Sequence, residues 1–197
     1  MASKATWTVS QTPAYPTVSN QRLAMLLFLA AEAMFFAGLI GAYLVFRMGS
    51  VEWPPFGQPR LPLAVTGINT VLLLLSSQTM RQGFHSVRSG MIQQTVCWLG
   101  ATLVLGTCFL GIQGFEWVRL MNFGLTFSSG PYGFTFYTIV GCHAAHVIGA
   151  VLWLGIVFFR TMQGRFSAER HCGLDLCRMY WYFVAGLWPV LYGLVYV

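Results

Sequence analysis

Two histidines, His143 and His146, stand near the middle of an otherwise apolar run, GPYGFTFYTIVGCHAAHVIGAVLWLGIVFF, which covers residues 130–159. Three residues apart, they lie about 60° from each other around a helix and share a face. Glu32 stands deep in a second apolar run, RLAMLLFLAAEAMFFAGLIGAYL. Ionisable side chains at such depth are costly in hydrocarbon and need partners. Two chemistries suit these residue types. A carboxyl and an imidazole can share a proton and tie two helices together. Two imidazoles can also begin a metal or haem site, but such a site needs further ligands from other helices. The other histidines, His85 and His171, sit at the ends of apolar runs rather than inside them.

Three more groups carry charge where it has consequences. Glu116 follows an apolar run, with Arg119 three residues on and on the same helix face, which suggests an ion pair at the outer interface. Asp175 follows His171 by four residues, so an early helix start would put the two on one face, and a loop would leave both solvated. Glu32 itself is either a protonated, hydrogen-bonded structural carboxyl or a partner for a histidine or a lipid headgroup. Asn69, the most buried polar group of its run, is expected to make an interhelical hydrogen bond.

The elements that must position these groups follow from composition. Of 197 residues, 56% are hydrophobic and only 8% are charged, and the mean hydropathy is +0.65. A soluble domain carries about 25% charged residues. The chain is therefore an all-α polytopic membrane protein, and no span shows the dyad alternation of a barrel strand. Hydropathy places five spans at about 23–46, 61–80, 96–115, 133–159 and 179–197. The fourth would reach about 40 Å along its axis, more than a bilayer core, so tilt is expected. Residues 1–21 are polar and read as a tail with no signal-peptide core. Residues 22–197 form the single transmembrane domain.

Basic residues set the orientation. Lys4, Arg22, Arg81, Arg88, Arg160, Arg165, Arg170 and Arg178 fall on one side, and Arg47, Arg60 and Arg119 on the other. The positive-inside rule puts the N-terminus in the cytoplasm. An interfacial belt is expected from Trp53, Trp117, Tyr132 and Tyr196 outside, with Tyr180 and Trp181 inside. Gly38 and Gly41 make a small patch that would admit another helix, as does the ridge Gly141, Ala145, Gly149. Pro189 should kink the last span or loosen one of its hydrogen bonds.

Several chemistries are missing. The charge of +6 is spread over loops with no aromatic-interleaved basic patch, which argues against nucleic acid. No nucleotide loop, nucleophile–base pair or redox ligand set can be drawn. Cys172 and Cys177 lie in a loop placed in a reducing compartment and are expected as thiols; with His171 they have no usual zinc spacing.

Taken in order, the motifs resemble those of subunit III of the haem–copper terminal oxidases, the cytochrome c and quinol oxidase family. RLAMLLFLAAEAMFFAGLIGAYL resembles that family's helix with a buried glutamate, at Glu32. INTVLLLLSS with His85–Gly90, IQGFEW, and GPYGFTFYTIVGCHAAHVIGA with its histidine pair are similar to three further segments. HCGLDLCRMYWYFVAGLWPVLYGLVYV resembles the last helix, with Asp175 where the family usually has Glu. Ala31, Ala144, Ala145, Tyr182, Ala185 and Pro189 depart from the pattern and mark a divergent branch.

The resemblance is to the short, five-helix form. It implies a V-shaped bundle whose cleft holds structural phospholipid, docking on subunit I with subunit II nearby, and no cofactor or metal in this chain. Haem and copper would belong to the partners. It implies a non-catalytic subunit, in a bacterial-type plasma membrane, that supports proton uptake and protects the complex during turnover. On that reading Glu32, His143 and His146 form a buried structural and lipid-cleft cluster. His85, His171 and Asp175 form a proton-collecting surface, because His titrates near physiological pH. Three other readings stay open: an accessory protein of nitric oxide reductase systems, a haem-b anchor using His143 and His146, and a transporter with Glu32 and the histidines as proton relay.

Overall fold

The computed structural model describes residues 19–59 and 61–196. The expected tail lies outside the described residues except at its last three positions. Five α-helices follow one another, with no strand among the described residues: α1 (Asn20–Gly49), α2 (Leu63–Arg88), α3 (Ile92–Asn122), α4 (Gly130–Met162) and α5 (Cys172–Leu191). A short π-turn, Tyr192–Tyr196, extends α5. Helices α1 to α4 are long and apolar enough to cross a membrane. The fifth is shorter and aromatic-rich.

Every helix overruns or shifts from its expected span, for one physical reason. Hydropathy finds only the stretch matched to hydrocarbon, whereas a helix keeps its backbone hydrogen bonds internal well beyond it. Thus α2 continues two turns past residue 80 and carries His85, expected in a loop. Similarly, α3 continues through Glu116 and Arg119 to Asn122, into the connection expected between the third and fourth spans. The start of α5 lies seven residues before the expected 179. Its regular turns end two residues after Pro189 and widen into the π-turn. Proline offers no N–H to the carbonyl four residues back, as the loosened hydrogen bond expected there requires.

The tightest helix pair is α2 with α3, while α5 packs on α4, α2 and α1. Trp181 and Trp188 of α5 are fully buried, together with Phe109 of α3 and Phe136 of α4. Each indole N–H finds a hydroxyl on α2: Trp181 donates to Ser76 Oγ at 3.1 Å and Trp188 to Thr70 Oγ1 at 2.9 Å. Asn69 donates from α2 to the carbonyl of Phe109 at 3.1 Å, the interhelical bond its depth demanded. Tyr132, Tyr180, Trp181 and Tyr196, four of the residues expected in the interfacial belt, are buried against other helices of the bundle.

One close approach lies outside the expected small-residue ridges. Gly106 of α3 lies directly under the Trp181 ring, and a Cβ there would collide with it. None of the other described residues lies within 4 Å of where a Cβ would stand on Gly38 or Gly41, so no described helix of this chain fills their patch. Helix α1 packs chiefly on α4 and α5 and is the least buried of the long helices.

Candidate functional site

Glu32 on α1 and His146 on α4 meet, with Oε2 and Nε2 2.9 Å apart. Each side chain is about one-fifth exposed. The other ring nitrogen, Nδ1, lies 2.6 Å from the carbonyl oxygen of Cys142, one turn back on α4. A carbonyl only accepts, so Nδ1 carries a hydrogen. Nε2 then either accepts from a protonated Glu32 or, as imidazolium, donates to the carboxylate. The pair therefore holds one shared proton. Phe35 stacks on the imidazole and Phe36 meets it edge-on at 5.0 Å, which shields the pair on the α1 side.

His143 does something different. Its ring is 1% exposed and stacks on Trp188, with centroids 4.9 Å apart and planes at 24°. Phe36 and Phe109 meet it edge-on. Neither ring nitrogen has a hydrogen-bond partner among the described residues. The expected three-residue cluster is thus a Glu32–His146 pair with His143 beside it as part of an aromatic core. His146 uses both nitrogens within the chain.

At the end of the bundle where α1 and α5 begin, Asp175 is buried and bound on both oxygens. Arg22 places Nε and Nη2 each 2.6 Å from Oδ2, and Arg178 donates from Nη2 to Oδ1 at 2.6 Å. Of the two arrangements expected for His171 and Asp175, the early helix start occurs and the solvated loop does not. The helix begins at Cys172, so the Asp175 amide bonds the His171 carbonyl while the side chain turns to the arginines. The contact links residues 153 positions apart, and no spacing rule could have found it. His171 is half-buried and stacks edge-on with Phe84, and His85 is exposed on α2.

At the opposite end, Glu116 is 3% exposed, with Oε1 3.8 Å from Arg119. The ion pair exists, but its carboxylate is inside the bundle rather than at an open interface, because α3 has not ended there. Nearby, Gln113 donates to the Tyr196 hydroxyl at 3.1 Å, and Arg47 donates to the Leu194 carbonyl at 2.7 Å. Arg22, Glu32 and Arg47 thus tie α1 to α5, α4 and the π-turn, and Gln21 and Tyr43 add bonds accepted from the Cys172 thiol and the Trp53 indole.

No group of three or more His, Cys, Asp or Glu able to hold a metal ion occurs among the described residues. The five cysteines form no disulfide.

Comparison with known proteins places the chain in a family. The family model for cytochrome c oxidase subunit III matches residues 2–197. The chain belongs to the cytochrome c oxidase subunit III family. Its relatives include cytochrome c oxidase subunit 3 of Synechocystis sp., 36% identical over 88% of this chain and 73% of that protein. The Thermostichus vulcanus protein of the same name is 34% identical over 89% of this chain and 86% of its own length. The counterpart from Oncorhynchus mykiss is 33% identical over 92% and 70%. The four helices long and apolar enough to cross a membrane all lie within the matched residues.

Proposed function

We propose that the chain is the non-catalytic subunit III of a proton-translocating cytochrome c oxidase. It docks on subunit I, with subunit II in the same complex, in a bacterial-type plasma membrane. Haem and copper reside in the partners, where oxygen is reduced to water. Its own five helices all cross the membrane, with the N-terminus in the cytoplasm, and its V-shaped cleft holds phospholipid. Its part is to support proton uptake and to keep subunit I stable during turnover.

One observation carries the docking reading. Helix α1 turns an extended apolar face outward, including Leu27, Met34, Phe35 and Val45, and Gly38 and Gly41 open a shallow patch on the same helix. The Glu32–His146 pair lies at the edge of that face. Apolar surface alone drives no association in lipid, whereas small residues that admit a close backbone do. We assign the α1 face to subunit I and the Glu32–His146 edge to the lipid cleft. His143 stiffens the core behind that edge. Glu116 and Arg119 support the outer end. Proton collection is assigned to His85 and His171, and Asp175 serves it indirectly by holding Arg22 and Arg178.

The test is purification of the chain from its native membranes in a mild detergent. Co-purifying chains are identified by mass, and a reduced-minus-oxidised spectrum is recorded with and without carbon monoxide. A large haem-bearing partner with a CO-sensitive band and oxygen-consuming turnover is expected. Haem on the chain alone would overturn the proposal, and a partner that reduces nitric oxide but not oxygen would move the chain to the reductase branch. For the histidines, an unchanged pH profile of turnover in the H85A/H171A variant would remove them from proton collection.

A further inference from the structure

The end of the bundle where α1 begins holds a basic groove between α2 and α5. Arg81, His85 and Arg88 project into it from α2, and Arg178 closes it from α5. The α2 residues are spaced i, i+4 and i+7, one stripe of a helix. The groove has a volume of about 760 Å³. It continues past Arg88 and Arg178 into a second space of about 490 Å³ lined by Arg22 and His171.

Charge in this groove does not balance. Four arginines face one acid, Asp175, and that acid is already saturated by Arg22 and Arg178. Glu169, exposed on the adjoining loop, lines neither space. Arg81 and Arg88 form no ion pair or side-chain hydrogen bond among the described residues. Arg178 is fixed in place by Asp175 and by its guanidinium lying 3.8 Å above the Phe84 ring. Arg178 lines both spaces and so stands at their junction.

We propose that this groove binds a phosphate-bearing anion. Guanidinium groups match phosphate oxygens bidentately, and several converging arginines select phosphate over a single carboxylate. The groove lies just beyond the apolar part of α2, at the depth of a headgroup layer, where basic pockets between membrane helices recognise anionic lipids. Phe84 on its floor offers apolar contact beside the charge. The site is distinct from the Glu32–His146 edge, which carries no arginine. It does not depend on the oxidase reading.

The experiment uses the purified full-length chain in a neutral detergent. Dihexanoyl phosphatidylglycerol, dihexanoyl phosphatidylcholine and inorganic phosphate are each titrated by calorimetry. Three proteins are compared: the wild type, R81Q/R88Q, and R160Q/R165Q as a charge-matched control outside the groove. Anionic lipid should bind the wild type and the control alike, and the groove variant at least about tenfold more weakly, the loss of one good charge-assisted contact. Binding to the wild type should also weaken as salt rises. Competition by inorganic phosphate supports the proposal with a soluble phosphate as ligand. Binding of the glycerol lipid without such competition supports it with a lipid headgroup as ligand. Equal binding of the choline lipid, or equal losses in the groove variant and the control, overturns it.

Discussion

Glu32 and His146 share one proton across the α1–α4 contact, because the Cys142 carbonyl fixes the hydrogen on the other ring nitrogen. In a low-dielectric surround this makes the pair a single hydrogen-bonded unit rather than two independent charges. Glu32→Gln keeps a donor facing Nε2, so its stability should stay within about 1 kcal/mol of wild type. Glu32→Ala removes the partner and should cost about 1–3 kcal/mol. Reversible unfolding in mixed micelles measures both, and equal losses in the two variants would count against the shared-proton geometry.

His143 and Trp188 lead to the opposite expectation. An imidazole with two unpartnered nitrogens contributes through its ring area. His143→Phe should be neutral or slightly stabilising, within about 1.5 kcal/mol after repacking. His143→Ala should cost about 2–5 kcal/mol for the lost packing. A large loss in the Phe variant would reveal a polar role that the geometry does not contain.

Asp175 and its two arginines form an unequal triad. Asp175→Ala leaves Arg178, about one-quarter exposed, facing Arg22 without the acid between them. The expected loss is about 1–3 kcal/mol, moderated by solvent around the half-exposed Arg22. Arg22→Ala should cost less than Asp175→Ala, since Arg178 still satisfies the acid. A double-mutant cycle over Arg22 and Asp175 measures the coupling, and a value near zero would reduce the contact to surface decoration.

Gly106 and Gly38 test two kinds of small residue. Gly106→Val drives a methyl into the Trp181 ring, and overpacking of this kind costs about 1–3 kcal/mol. In G38L/G41L the added Cβ atoms meet no other described residue, and the melting temperature should not fall. If α1 is the docking face, the same double variant should lose co-purification with the large subunit. Retained association would move the docking face elsewhere.

Much of this architecture could be read from the chain by depth. Apolar runs located the helices, and equal depth paired Glu32 with the α4 histidines. Helix ends could not be read this way, because hydropathy stops where the hydrocarbon does and α2 and α3 do not. The partition of the histidine pair was also hidden: which ring meets Glu32 depends on rotation of α4 against α1, and one face admits both answers. The Arg22–Asp175 bond and the Gly106–Trp181 contact join distant helices through tertiary packing alone, whereas Arg178 meets Asp175 at a local i,i+3 spacing. Depth said that α1 held an acid; it did not say that α1 would carry ties at both ends as well.

Those three ties give α1 a fixed elevation. An apolar rod among lipid tails meets the same surroundings wherever it slides along its axis, so packing of apolar side chains sets its height only loosely. Arg22, Glu32 and Arg47 are spaced along about 38 Å of helix and each reaches a partner on α4, α5 or the π-turn. Sliding by even one residue would stretch all three at once. Whatever docks on the outward face of α1 therefore meets its side chains at a defined height in the bilayer, as the marks on a ruler clamped at both ends and in the middle.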